Sequence, residues 1–200
     1  MGGFYGSVHV RSEDREAVQS ALEAVSHDTK ERFLLGPPLN GWIGVYPEGH
    51  GQDLQIAQHL AGRLGGEIVA MLVHDDDFLV YEYYRDGELI DEYNSMPDYF
   101  DEVSEYEVPE EGRKPRGHPE VLAHLAVDPY KFGSLVSKLV GEESRRVVFA
   151  SELMEDLAAA IGIRNAVTSY EYLKNFDETD GIEAWDRFIH VPDLAEEVAK

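Results

Sequence analysis

A run of one histidine and three aspartates, His74, Asp75, Asp76 and Asp77, concentrates metal-ligating residue types in one short stretch. Carboxylate oxygens crowded in a loop suit Ca²⁺, Mg²⁺ or Mn²⁺, so His74, Asp75 and Asp77 are candidate metal ligands. The alternative is turn chemistry, because aspartate favours tight turns and three adjacent acids cannot all reach one ion unless the backbone curls. The spacing also lacks the glycine and the distant glutamate of an EF-hand loop.

A second polar cluster follows, and its candidate binding residues are Asp91, Glu92, Tyr93, Asn94, Asp98 and Tyr99. Carboxylates, an amide and phenols that converge at the end of a strand suit a basic peptide, a cation or another polar ligand. The alternative is an edge strand whose charges prevent pairing with other chains. Both interpretations stay open at the level of the sequence.

Motifs for other chemistries do not occur. The sequence has no G-x-S-x-G nucleophile motif, no H-E-x-x-H zinc motif and no Walker Lys-Ser/Thr pair. It also has no cysteine, which excludes disulfides and thiolate chemistry. The sequence therefore assigns no catalytic residue and no cofactor, with Ca²⁺, Mg²⁺ or Mn²⁺ at the first cluster as the alternative.

Charge dominates the composition: the 200 residues include 40 acids and 17 lysines or arginines, a formal net charge of -23. Fifteen of the acids lie between Asp75 and Glu111, together with eight aromatic residues and a single base, Arg85. Such a segment suits the surface of a basic protein partner. Nucleic acid is an unsuitable partner, because phosphate binding requires lysine and arginine. Adaptation to high salt and ordinary solubility are alternative explanations of the charge.

The elements that must position these clusters form a sheet. Apolar periodicity predicts the order β-α-β-α-β-β-β for the first half, with strands at 4–10, 42–46, 68–73, 78–84 and 88–93. The unbroken apolar run at 68–73 predicts burial on both faces, and Arg85-Asp86-Gly87 predicts a tight turn within an antiparallel meander. The run Gly36-Pro37-Pro38 indicates a break in the chain. The predicted fold class is α+β, a mixed, mainly antiparallel sheet followed by a smaller, mostly helical half.

The sequence of the second half predicts three helices. The first begins at Pro119, the second spans 132–140, and the third is capped by Ser151 and ends before Gly162. We expect a sheet domain at 1–108, a connector at 109–117 and a helical half at 118–200, and the sequence leaves open whether the halves pack as one unit. No run of about 18 apolar residues occurs, so no membrane span is expected. The first residues lack the pattern of a signal peptide, which predicts a cytoplasmic location.

Three segments carry a resemblance to other proteins: Gly6–Arg11, Gly41–Pro47 (GWIGVYP) and Asp91–Phe100 (DEYNSMPDYF). They resemble a group of uncharacterised bacterial proteins that have a GWxxVYP segment and a DEYNSxPDYF hairpin end. The likeness covers about the first hundred residues, and the stretch 158–170 is similar more weakly. The resemblance implies a bacterial, cytoplasmic origin and no particular reaction.

The favoured functional hypothesis is a non-enzymatic, acidic interaction protein that binds a basic protein partner, in the manner of an immunity-like or regulatory protein. A second hypothesis is a divalent-metal enzyme or metal-regulated domain centred on His74–Asp77. A third is a small-ligand sensor with a cleft between the two halves. The oligomeric state is not predicted.

Overall fold

A computed structural model of the chain describes residues 2–49, 51–99, 116–141, 149–174 and 181–192. Its strands are β1 (Tyr5–Arg11), β2 (Phe33–Leu39), β3 (Trp42–Pro47), β4 (Glu67–His74), β5 (Phe78–Arg85), β6 (Glu88–Asn94) and β7 (Ile189–Val191). Its α-helices are α1 (Arg15–Thr29), α2 (Gln55–Leu64), α3 (Pro129–Val140), α4 (Ala150–Ala160) and α5 (Tyr170–Lys174). Two 3-10 helices span Pro119–Leu125 and Trp185–Arg187.

The seven described strands form one sheet in the order β6-β5-β4-β1-β3-β2-β7. Every described pair of neighbours is antiparallel, so the expectation of a mixed sheet was too broad. The α+β class is confirmed, with most of the sheet first and the helical half after it. The predicted meander of the last three strands of the first half is confirmed as β4-β5-β6.

Strand β2 is absent from the predicted order, which is corrected to β-α-β-β-α-β-β-β for the first half. The supposed break at Gly36-Pro37-Pro38 lies inside β2. The register between β2 and β3 shifts between Leu35 and Pro38, which marks a bulge. Proline has no N–H to donate to a ladder, and a bulge or a place near the sheet edge tolerates it.

The sheet is covered by helices on both faces. On the first face, α1 and α2 pack their apolar stripes, including Leu22 and Leu60, against residues such as Ile68. On the second face, α3 and α4 pack against the opposite side of the same strands, with Met71 and Leu157 in one cluster. Strand β4 is therefore buried on both faces, as its unbroken apolar run predicts.

The helical half shares its core with the sheet. One apolar cluster joins β4, β5 and β6 to α3 and α4, and β7 pairs directly with β2. Of the predicted connector 109–117, only residues 116 and 117 lie within the described residues. Residues 193–200 lie outside them. Within the described ranges, no helix has both the length and the apolar character that crossing a membrane would require.

The first turns of α1 and α4 are capped in different ways. Helix α1 is capped by Asp14, whose side chain accepts a hydrogen bond from Ala17 N–H, while Ser12 accepts one from Asp14 N–H. Ser151 does not cap α4, because it is the second residue of that helix. The group that caps α4 comes from a distant part of the chain and belongs to the first polar cluster, described next.

Candidate functional site

The His74–Asp77 segment forms the tight connection between β4 and β5, as expected. Asp77 N–H donates to the His74 carbonyl at 2.9 Å. Asp75 and Asp76 both have positive φ, at 50° and 61°, a conformation that aspartate tolerates better than most residues. The turn thus uses its aspartates for backbone geometry.

The side chains of this turn contact separate neighbours. Asp76 Oδ1 accepts a hydrogen bond from Ser151 N–H, and the Asp76 carbonyl accepts one from Ala150 N–H, both at 2.8 Å. These are the first N–H groups of α4, which have no partner inside the helix, so Asp76 caps α4 from across the fold. Asp77 Oδ2 instead accepts a hydrogen bond from Tyr99 at 2.6 Å.

The other candidate metal ligands also lie apart. His74 Nδ1 lies 3.1 Å from Gln52 Oε1, and the ring packs against Phe4 and Phe78. Asp75 is exposed at the tip of the turn. In the part of the chain that the structure describes, no group of three or more histidine or acidic side chains is arranged to hold a metal ion. A site at His74, Asp75 and Asp77 stays a prediction from the sequence.

The six predicted binding residues of the second cluster do not share one exposed face. Asp91, Tyr93 and Asp98 are buried, Asn94 and Tyr99 are half-buried, and Glu92 is exposed. Asp91 is only 7% exposed, and it accepts hydrogen bonds from Tyr81 OH at 2.5 Å and from His118 N–H at 2.9 Å. Two donors compensate the buried carboxylate, which is why it tolerates an interior position.

Tyr93, Asn94 and Tyr99 likewise make contacts within the fold. Tyr93 stacks on Tyr81 with ring centroids 5.2 Å apart, and its hydroxyl donates to the Leu139 carbonyl of α3. Asn94 Oδ1 accepts a hydrogen bond from the backbone N–H two residues on. Tyr99 joins the two predicted clusters through its bond to Asp77, which raises the pKa of the Tyr99 phenol.

Strand β6 forms one edge of the sheet, and the described residues cover only part of its outer side. Residues 116–118 run beside its second half, where Asn94 N–H donates to the Arg116 carbonyl. Gly117 approaches so closely that an added Cβ would lie 2.4 Å from the Glu92 carbonyl oxygen. The first half of β6 has no such cover among the described residues, and Leu89 and Ile90 are 49% and 40% exposed.

Carboxylates surround this uncovered half. We use the name acidic edge for the exposed residues Asp86, Glu88, Leu89, Ile90 and Glu92 together with the half-buried Glu82. Within the described residues, none of its four carboxylates forms an ion pair. Arg85, the one base of this region, points to the second face of the sheet, where it contacts Tyr83 and Glu67.

Glu82 and Glu92 lie directly opposite each other in the β5–β6 ladder. Like charges in this position repel and destabilise the pair. Burial raises the pKa of Glu82, and the nearby carboxylates of Glu92 and Asp53 raise it further, against a hydrogen bond from Tyr84 that lowers it. A cation placed here would relieve that repulsion.

The structure also assembles a polar cluster that sequence reasoning missed, at the end of the sheet on its second face. Glu67 Oε2 accepts a hydrogen bond from Arg11 at 2.6 Å, and Glu67 Oε1 lies 2.5 Å from His124 Nε2. Tyr83 OH lies 3.3 Å from the same carboxylate and accepts a bond from Arg85. Burial raises the pKa of Glu67, but the hydrogen bonds from His124 and Arg11 outweigh it and bring the pKa below its ordinary value.

These residue types are the ones used in acid–base catalysis, yet here they bind one another. The cluster joins β1, β4 and β5 to the 3-10 helix 119–125. Part of it is readable from the sequence, because counting residue by residue from the β4–β5 turn pairs Glu67 with Arg85. Arg11 and His124 carry no such local signal, since each reaches Glu67 from a distant segment.

A buried serine–histidine pair lies on β1. His9 is 1% exposed, its Nε2 is 2.8 Å from Ser7 Oγ, and burial lowers its pKa to about 3. Ser7 Oγ also lies 3.3 Å from the Ala166 carbonyl, to which it can donate a hydrogen bond. Ser7 is 1% exposed as well, so the pair lies in the interior of the fold.

Comparison of the chain with protein-family models, curated proteins and solved structures gives no match.

Proposed function

We propose that this chain is a non-enzymatic interaction protein whose acidic edge binds a basic protein partner. One observation carries the proposal: the first half of edge strand β6, which no described residue covers, presents two apolar side chains among carboxylates that have no ion-pair partner in the same part of the chain. Charge complementarity would attract a basic surface and raise the association rate. Leu89 and Ile90 would supply apolar contact once the partner is in place.

The mode of binding that fits an uncovered edge is addition of a strand. A partner segment running beside 88–90 would extend the sheet past β6, since residues 116–118 cover the edge only farther along. In such complexes the main chain gives affinity and alternate side chains give specificity. The register shift between Tyr83 and Tyr84 puts Glu88 on the face of Arg85 and Glu92 on the face of Glu82. A lysine or arginine of the added strand beside Glu92 would offset the repulsion between Glu92 and Glu82.

The acidic edge contains only one of the six binding residues expected from the sequence. Asp91, Tyr93 and Asp98 are buried, and Glu92 is the exposed member of the original six. In the proposed interface, the exposed residues Glu88, Leu89 and Ile90 replace the buried ones as contact residues. The proposed partner is still a basic protein, but most of the contact residues differ from those expected from the sequence.

The test uses a fluorescein-labelled peptide of alternating lysine and valine as the probe, with anisotropy for affinity and stopped-flow for association rate. The triple substitution E82Q/E88Q/E92Q is compared with E16Q/E23Q/E155Q, which removes three charges from exposed positions on α1 and α4. We expect the edge variant to associate roughly tenfold more slowly at low salt and the control to stay within about twofold of the unmodified chain. A second pair, L89S/I90S, tests the apolar contact through the dissociation rate.

Equal slowing by both triple substitutions would contradict the proposal, because it would mean that only the total charge matters. An association rate that does not change with salt would contradict it as well. Thermal melts of all variants establish that they fold, and they are most needed for the edge variant, because Glu82 is half-buried and accepts a hydrogen bond from Tyr84.

A further inference from the structure

One end of the sheet carries a row of large polar and aromatic side chains on its second face. The ladder pairs Arg11 with Trp42 and Glu67 with Arg85, and β1 lies between β3 and β4. The guanidinium of Arg11 lies 6.0 Å from the Trp42 ring centroid and donates to Glu67. This row forms one wall of a cavity that the acidic edge does not involve.

The cavity has a volume of about 470 Å³ and lies between the sheet end and the C-terminus of α4. That size falls within the usual range for small-molecule sites, roughly 300–1,000 Å³. Its polar lining consists of Arg11, Asn40 and Arg164, and its apolar lining includes Leu125 and Ile161. None of the described lining residues is acidic, although the chain as a whole has a net charge of -23.

Both arginines line this space, and each has hydrogen-bond donors that no described residue uses. Arg11 uses one terminal nitrogen for Glu67, and within the described residues no other acceptor bonds to its guanidinium. Arg164 is 48% exposed at its side chain, and its one ion pair in the described part of the chain is a 3.5 Å approach of Nε to Glu183. A guanidinium with open donors suits a carboxylate or phosphate, which it binds through two parallel hydrogen bonds.

The carbonyl groups at the end of α4 would repel an anion, but donors already cover them. Trp42 Nε1 donates to the Ile161 carbonyl at 3.0 Å, and Asn40 Nδ2 donates to the Gly162 carbonyl at 3.3 Å. The Ala160 carbonyl accepts a hydrogen bond from Val127 N–H at 2.9 Å. The negative end of the helix is thereby partly neutralised where the cavity opens.

We infer that this cavity binds a small organic anion, in which a carboxylate or phosphate group contacts Arg11 and Arg164 and an apolar body lies against Trp42, Leu125 and Ile161. The two arginines require a ligand of negative charge. The apolar wall, which is formed by Trp42, Leu125 and Ile161, favours an organic molecule over an inorganic ion. The site is separate from the acidic edge and does not depend on the function proposed for it.

Fluorescence of Trp42 gives a local readout. The chain has two tryptophans, so the W185F variant leaves Trp42 as the sole emitter, excited at a wavelength that the probes do not absorb. The probes are phenyl phosphate and benzoate, which share a ring and differ in the anionic group, with phenol and inorganic phosphate as controls at constant ionic strength. R164Q is compared with R63Q, an exposed arginine on α2 at the opposite face.

We expect saturable quenching of Trp42 by at least one of the two organic anions. R164Q should weaken binding about tenfold or more, because a charge-assisted bond is lost, and R63Q should stay within about twofold. The inference is overturned if neither anion gives a saturable change or if R164Q binds as tightly as the unmodified chain. Equal binding of phenol would overturn the role of the arginines, and equal binding of inorganic phosphate would overturn the role of the apolar wall.

Discussion

The cap that Asp76 provides for α4 gives a prediction whose size can be worked out from the structure. Substituting Asp76 with alanine removes the acceptor for Ser151 N–H and leaves the bond from Ala150 N–H to the Asp76 carbonyl. It also places alanine at a φ of 61°. Loss of an N-cap costs about 1 kcal/mol, and a left-handed residue other than Gly, Asn or Asp costs about 1 kcal/mol more.

Two matched substitutions separate these contributions. Asp75 has a φ of 50° but caps no helix, so D75A should cost about 1 kcal/mol against about 2 kcal/mol for D76A. D76N keeps both the acceptor oxygen and the tolerance for positive φ, so its stability should stay near that of the unmodified chain. S151A should change the free energy of unfolding by less than about 0.5 kcal/mol, because Ser151 is not the cap.

The assay is urea unfolding followed by circular dichroism, supported by thermal melts. For a chain of this size each kcal/mol lowers Tm by about 2–4 °C, so D76A should lower it by about 4–8 °C. Equal costs for D75A and D76A would refute the cap from across the fold. A larger cost for S151A than for D76A would restore the cap expected from the sequence.

Three further predictions concern His9, Glu67 and the candidate metal ligands. Because the native pKa of His9 is about 3 and its ordinary value is 6.5, the unfolded chain binds one more proton between these values, so stability should fall as pH drops below 6.5. His9→Gln should flatten that slope in urea titrations, and an unchanged slope would contradict the assignment. E67Q should cost about 1–3 kcal/mol at pH 7. Since the pKa of Glu67 is lowered, its contribution to the free energy of unfolding is present above pH 4.5 and is lost as the pH falls. The stability difference between E67Q and the unmodified chain should therefore shrink in acid. A difference that stays constant with pH would argue against the ion pairs of Glu67. Ca²⁺, Mg²⁺ and Mn²⁺ at matched ionic strength should shift Tm equally, because Asp76 and Asp77 bond to other parts of the chain; a saturable shift with one ion, reversed by chelator, would favour the metal hypothesis.

Local patterns in the sequence predict the part of the fold that depends on local physics. The apolar run of β4 predicts a strand covered on both sides, and the structure confirms it. Arg85-Asp86-Gly87 predicts a tight turn, and the positive φ values of Asp86 and Gly87, 50° and 89°, confirm it. These features need only the residue types at consecutive positions.

Features that depend on distant partners could not be predicted in this way. From the sequence, Asp91 looks like an exposed charge on an edge strand. Its burial is tolerated because Tyr81 OH and His118 N–H donate hydrogen bonds to its carboxylate. The cap of α4 lies 75 residues away from Ser151 along the chain. The run Gly36-Pro37-Pro38 could be placed in a strand only once the bulge against β3 is known.

The position of β7 sets an order on folding during synthesis. Val191 pairs with Phe33, so β2 gains its outer neighbour in the sheet only after residue 191 has been synthesised. Until then β2 is the outermost strand on that side, open to pairing with a neighbouring nascent chain. Pro37 and Pro38 have no N–H to donate there, so the same residues that interrupt the ladder protect the unfinished sheet from aggregation.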